Sequence, residues 1–265
     1  MSDSTLEDLG ITPGQQFNRS ELDNLLTRVN CGSNQLVSSL YLKPGDQSNF
    51  MAARDSSRLP WVERLATLDH KILKSETGLI GLSNGDHALV VLPPFPLTNS
   101  ELFDTWNLQP LHDLLDRPYK VGVVLLRLGR FAVAVYEGDQ LISSKTDTRY
   151  VKGRHAAGGT SQKRYSRIRE GQIKLIYEKT CQAIKDQFTP HLGNIQFVLL
   201  GGEKFTLNGL VKKCPALVGL ENITLSRRLN VRNPKRDTLE SVAVSLKESR
   251  SVSYTHLTLP TILLV

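Results

Sequence analysis

Cysteine is scarce in this 265-residue chain: Cys31, Cys181 and Cys214 are odd in number and widely separated. They form no CxxC pair and no Cys/His spacing. That excludes a zinc site of the common kinds, argues against a disulfide framework and points to a reducing compartment. Long apolar runs are missing too. None approaches the roughly 20 residues that cross a bilayer, so no membrane partner is expected. The N-terminus, "MSDSTLEDLG", has neither a basic start nor an apolar core, which excludes a signal peptide. The expected location is cytoplasmic.

Several catalytic signatures are also missing. "GGEKFT", residues 201–206, lacks the G-x-x-x-x-G-K-[ST] spacing that surrounds nucleotide phosphates, and reads as a strand-to-helix turn. "VGVVLLRLGRFAVAV", residues 121–135, holds no carboxylate, so a nuclease built on two divalent ions has nothing to hold them. No elbow motif presents a Ser or Cys nucleophile. Neither a metal nor a cofactor is expected.

What the chain does have is localised positive charge. Between Lys145 and Asp186 there are eleven Lys or Arg against four Asp or Glu. This segment therefore accounts for the whole net charge of +7, and the remainder balances. A neutral protein with one basic segment implies a localised polyanion site, with nucleic acid the commonest partner.

Two units are expected. Residues 1–117 read as a smaller α/β N-terminal domain. It has a helix at "SELDNLLTRV" capped by Ser20, and a strand at "QLVSSLYLKP" ended by Pro44 and Gly45. "LPWVERLATLDHKILK" reads as a helix begun by Pro60, with Trp61, Val62, Leu65, Leu68 and Ile72 at helical spacing. A hairpin turns at Asn84-Gly85, and a short helix lies around Leu111–Leu115. Residues 118–250 alternate strands and helices, which makes an α/β domain. Two strands meet at Gly129, and "QLISSKTDTRYV" leads into the basic loop. A long helix follows from Ser161, with Tyr165, Ile168, Leu175, Ile176 and Ala183 on one face. Gly171 interrupts that helix and allows a bend. The strand "IQFVLL", the helix "LNGLVKKC", the strand "NITLSRRLNV" and a last helix with Asp237 and Glu240 at capping-box spacing complete the unit. "VSYTHLTLPT", residues 252–261, resembles the translation of a transposase adapter used in sequencing libraries. Residues 252–265 are accordingly set aside from the fold as a non-native tail.

The basic segment carries one uncharged stretch, Gly158-Gly159-Thr160-Ser161-Gln162. Adjacent glycines let a backbone approach another molecule closely. Ser161 or Thr160 can cap the following helix, whose N-terminus favours phosphates. Lys152, Arg154, Lys163, Arg164, Arg167 and Arg169, with Lys174 further along, suit an RNA backbone bound without sequence reading. His155 reads as a loop histidine touching phosphate or backbone rather than a general base. Gln162 has no useful pKa, but its amide can orient a water or stabilise an oxyanion. The plainer reading is an RNA-binding loop with an incidental glutamine, and the residues alone favour it.

"GGTSQKRYSRIRE" followed by a long helix resembles the central domain of eukaryotic and archaeal class-I peptide-chain release factors. There a GGQ tip is followed by Ser, two variable positions and Arg-aromatic-x-Arg-x-Arg. Gly158, Gly159, Ser161, Arg164, Tyr165, Arg167 and Arg169 fall in register, and Thr160 stands where that family has glutamine. The Vms-like release factors, peptidyl-tRNA hydrolases of ribosome-associated quality control, are more similar. Their Gly-Thr-small-Gln tip corresponds to Gly159, Thr160, Ser161 and Gln162, and "TRYVKGRHAAGG" looks like the bacterial members. The resemblance implies a mixed sheet flanked by helices, with the tip at one end. It implies that Gln162 positions water against the peptidyl-tRNA ester in a stalled large ribosomal subunit, with Gly158, Gly159, Thr160 and Ser161 completing the tip. It also implies contacts to rRNA and tRNA by the basic residues. The alternative is a non-catalytic ribosome- or RNA-binding factor of the same fold. A stop-codon reader would need a decoding tip resembling Asn-Ile-Lys-Ser, which residues 1–117 do not show.

Overall fold

Short β-branched runs punctuated by Gly, Pro and Asn dictate sheets rather than a helical bundle, and two sheets form. The computed structural model describes residues 14–30, 37–46, 70–83, 87–151, 153 and 160–256. The chain divides into two compact units, residues 1–116 with 246–265, and residues 117–245.

In the first unit a six-stranded sheet has the order β1-β11-β4-β3-β2-β5. Its strands are β1 (Gln16–Phe17), β2 (Ser38–Leu42), β3 (Leu79–Ser83), β4 (His87–Leu92), β5 (Glu101–Phe103) and β11 (Ser249–His256). β3 and β4 pair antiparallel as the hairpin reading implies, and β2 adds antiparallel to β3; Asn84 and Gly85 lie outside the described residues. Ser39 is buried yet satisfied, because its hydroxyl donates to the Thr105 carbonyl at 2.9 Å and accepts from the Asn107 amide at 3.1 Å. The helices are α1 (Arg19–Asn30), α2 (His70–Leu73) and α3 (Gln109–Asp116). Of the helix read over residues 59–74, the part before His70 lies outside the described residues.

One expectation is corrected here. Ser20 lies inside α1, and Asn18 is the cap. The Asn18 Oδ1 accepts from the Glu21 amide at 2.9 Å, and Glu21 Oε2 accepts from the Asn18 amide at 3.0 Å. This reciprocal pair needs the acidic partner three residues on, which Asn18 has in Glu21. The chain from Val252 is described as far as His256. Residues set aside from the fold continue strand β11 through His256, pairing antiparallel with β4 down to His256↔His87. The register slips between Ser251 and Ser253, so Val252 is the extra residue of a β-bulge. Backbone pairing needs extended, β-prone residues rather than a particular sequence, and Val252, Tyr254 and Thr255 are of that kind.

The second unit has a five-stranded mixed sheet ordered β10-β9-β6-β7-β8. Its strands are β6 (Lys120–Arg127), β7 (Arg130–Glu137), β8 (Gln140–Thr148), β9 (Phe197–Gly202) and β10 (Thr224–Leu229). β9 runs parallel to β6 and to β10, while β7 is antiparallel to both β6 and β8. Helices cover both faces: α4 (Thr160–Phe188), α5 (Lys204–Val211), α6 (Pro215–Val218) and α7 (Arg236–Leu246). Phe131, Val133 and Val135 of β7 join a core with Ile176, Tyr177, Ile184 and Phe188 of α4 and with Leu207 and Leu210 of α5. Tyr136, one step along the pleat, points the other way and donates its hydroxyl to the Leu239 carbonyl of α7 at 2.7 Å. Each fully buried large side chain contributes about 1.5–3 kcal/mol.

Gly201 and Gly202 end β9 as the sequence reading of a strand-to-helix turn requires, and Glu203 holds the N-cap position of α5 without a side-chain capping bond. At Gly202 φ is +129° and a Cβ would run into the Leu126 carbonyl oxygen, so only glycine fits. α4 runs without interruption through Gly171. Asp237 sits inside the first turn of α7 rather than at its cap.

The cysteine expectation is also corrected. Cys181 of α4 and Cys214, the residue preceding α6, form a disulfide with Cα atoms 5.4 Å apart. They are 33 positions apart in sequence, and only the packing of α6 beside α4 brings them together. Cys31 lies outside the described residues.

Candidate functional site

The tip depends on where α4 begins and how far it stands beyond the sheet. Thr160 and Ser161 are its first two residues, so both lie within the helix rather than before it. Gly158, Gly159, Lys152, Arg154 and His155 lie outside the described residues. Gln162 is the third helical residue and is exposed.

From Gln162 to Ile168 every α4 residue is exposed. The first α4 residue packed on the core is Ile173 and the first fully buried is Ile176. At 1.5 Å per residue, Gln162 stands about 16 Å along the axis beyond Ile173. The amide is therefore held at the outer end of a rigid rod rooted in the sheet.

That projection corrects the apolar face read from the sequence. Ile176 and Ala183 are buried as expected, but Tyr165, Ile168 and Leu175 remain 40%, 41% and 45% exposed. Helical periodicity identifies a stripe; it does not reveal that the sheet ends before the stripe does.

Lys163, Arg164, Arg167 and Lys174 are exposed along α4, whereas Arg169 is half-buried. Arg169 lies close enough to influence Tyr177: burial raises that phenol's pKa and the Arg169 charge lowers it. Tyr177 also carries the Lys213 ammonium over its ring, 5.8 Å from the centroid. Among the described residues of the expected RNA-binding set, Arg169 is thus the half-buried one. Lys174 pairs with Glu178 at 3.8 Å, and such exposed i,i+4 pairs contribute well under about 1 kcal/mol.

Ser166 donates to Glu170 at 2.9 Å, a bond one turn along the helix. Among the described residues no group of three or more His, Cys, Asp or Glu side chains could hold a metal. Among them, too, no helix is long and apolar enough to cross a membrane.

Sequence reasoning missed a second set of cations. Arg130 opens β7, opposite Thr148 at the end of β8, and Lys235 and Arg236 precede and open α7. These residues line one open cleft of about 440 Å³ together with Thr146 and Asp147. β8 leads from this cleft directly into the chain that carries the tip. No sequence signal marks the set, because more than 100 positions separate Arg130 from Lys235 and Arg236, and the fold alone unites them.

Comparison with known proteins places the second unit. A family model described as "Actinobacteria/chloroflexi VLRF1 release factor" matches residues 119–251, about half of the chain. The chain is 28% identical over 109 residues to peptide chain release factor subunit 1 of Archaeoglobus fulgidus, which is 41% of this chain and 27% of that protein. It is 30% identical over 95 residues to the same factor of Pyrobaculum aerophilum, covering 35% and 24%. The chain thus spans about a quarter of the length of these relatives. Among solved structures it is similar to the Vms1 mitochondrial localization core, with 10% identity, 94% of both chains covered and a TM-score of 0.39. It is also similar to the archaeal translation termination factor aRF1, with 14% identity, 87% and 72% covered and a TM-score of 0.35.

Proposed function

The chain belongs to the VLRF1 release factor family, and on that premise we propose that it is a ribosome-associated peptidyl-tRNA hydrolase that frees nascent chains from stalled large ribosomal subunits. Its second domain, residues 118–250, carries the reaction. Residues 1–117 form a separate domain, and the protein works in the cytoplasm.

The observation that carries this reading is the exposed Gln162 amide at the outer end of α4. A group that must meet an ester inside an RNA cavity has to be exposed on its own protein, and Gln162 is exposed about 16 Å along the α4 axis from Ile173. The carboxamide donates and accepts at fixed angles, which orients a water towards the ester carbonyl and supports the oxyanion that forms. The water oxygen bonds to the carbonyl carbon and the bond to the ribose oxygen breaks. The peptide leaves with the new carboxylate, and the ribose oxygen takes a proton. Gly158 and Gly159 allow close backbone approach, and Thr160 and Ser161 begin the helix whose N-terminus favours phosphate.

Lys152, Arg154, His155, Lys163, Arg164, Arg167, Arg169 and Lys174 bind rRNA and tRNA phosphates. Exposed cations on a projecting helix suit a partner recognised by its backbone charge.

The test is release of peptide from stalled large subunits. Gln162→Ala is expected to slow release about a hundredfold, the usual loss for one oxyanion donor, while subunit binding persists. Release at the wild-type rate would remove Gln162 from the reaction. Subunit binding with no release by the wild-type protein would instead favour a non-catalytic RNA-binding factor.

A further inference from the structure

The cleft at the end of the second unit's sheet has no part in the proposed hydrolysis, yet its chemistry is specific. Arg130 is held in place on two sides. Its Nε donates to Thr148 Oγ1 at 3.2 Å and one terminal nitrogen donates to Asn233 Oδ1. A guanidinium fixed in this way loses little freedom when it binds an anion. Lys235 and Arg236 enter from a different chain segment, both exposed, at the N-terminal end of the 11-residue α7.

The cleft contains one carboxylate, Asp147, and it is already occupied. Asp147 accepts from Arg149 Nε at 3.3 Å and from the Thr148 amide at 2.7 Å. Asp237, in the first turn of α7, is the other nearby acid. Three cations therefore converge where the acid lining the cleft is neutralised, and the Thr146 and Thr148 side chains supply hydroxyl groups.

We infer that this cleft binds the phosphodiester backbone of RNA, as a second contact at the base of the arm that carries the tip. The inference deepens the RNA-binding half of the proposed function and rests on it. Two features select a polyanion over a small anion. The cleft is open, so a free phosphate would compete against water at every point, whereas a nucleic acid gains the release of its condensed counterions. Its lining holds no aromatic ring on which a base could stack, so the contact reads charge and spacing rather than sequence. With α4 gripping at the tip, a contact at the sheet end fixes the angle at which the rod enters the RNA.

The test uses the full chain and a fluorescein-labelled RNA hairpin of about 12 base pairs, titrated at several KCl concentrations between about 50 and 200 mM. The double reversal Lys235→Glu/Arg236→Glu changes two exposed side chains and is expected to leave thermal unfolding unchanged. It is expected to weaken hairpin binding roughly tenfold and to reduce the salt slope by about two, equally for scrambled hairpin sequences. Affinity and slope equal to wild type would overturn the inference. So would inorganic phosphate at millimolar concentration displacing the hairpin while potassium chloride of the same ionic strength does not, because that identifies a small-anion site.

The outcome separates from that of the hydrolase reading. If Gln162→Ala released peptide normally while the double reversal still lost hairpin affinity, the cleft would stand and the catalytic assignment would fall.

Discussion

Cys181 of α4 is covalently tied to Cys214 at the start of α6. The bond anchors the buried half of the helix whose other end presents Gln162. Leverage on the projecting half is therefore resisted by a cross-link as well as by the packing of Ile176, Ile184 and Phe188.

Reduction of this bond is expected to lower stability by about 3 to 4 kcal/mol, the chain-entropy value for a loop of this length. Urea unfolding with and without a reductant measures it. Cys181→Ala/Cys214→Ala should resemble the reduced protein and should not respond to reductant. A variant that still lost stability under reductant would place the sensitive group elsewhere.

Two glycines in the second unit predict opposite outcomes. A Cβ on Gly122 of β6 would lie 2.7 Å from the Phe188 ring, so Gly122→Ala overpacks the core and should cost about 1–3 kcal/mol. At Gly171 a Cβ meets nothing within 4 Å, and the position is interior helix. Gly171→Ala should stabilise by about 1 kcal/mol. Thermal unfolding of the two variants side by side reads both signs.

The cap of α1 distinguishes neighbouring residues. Asn18→Ala removes the acceptor for the Glu21 amide and should cost about 1 kcal/mol. Ser20→Ala, an exposed position inside the helix, should be nearly neutral. Equal losses at both positions would contradict the observed capping pair.

Along α4, Arg164→Ala and Arg167→Ala should each reduce the salt slope of RNA binding by about one, with unfolding unchanged. Arg169→Ala should weaken binding and also lower stability, because that side chain is half-buried and bears on Tyr177. Fluorescence anisotropy and thermal melting together separate the two kinds of arginine.

Local signals were legible. The apolar runs of β6, β7 and β9 declare themselves, and Gly129 and Gly202 mark turns because other residues do not take their positive φ cheaply. The alternation of strands and helices gave an α/β domain, and the resemblance to release factors gave the mixed sheet flanked by helices. The uncharged stretch amid positive charge pointed to α4 and Gln162. Long-range relationships were not legible. Nothing local in Cys181 or Cys214 announces a partner 33 residues away. Tyr165, Ile168 and Leu175 fit an amphipathic helix, and only the extent of the sheet decides that they stay outside. Arg130 lies more than 100 positions from Lys235 and Arg236, so the cleft they share exists only after folding.

β11 has one more consequence. β1 joins the first sheet only through β11, and β11 lies between β1 and β4. Everything belonging to the second unit, residues 117–245, precedes it in the chain. During vectorial synthesis the middle of the polypeptide therefore reaches its full contact set before the beginning does. The N-terminal segment must wait, its edge unzipped, for the last strand to emerge.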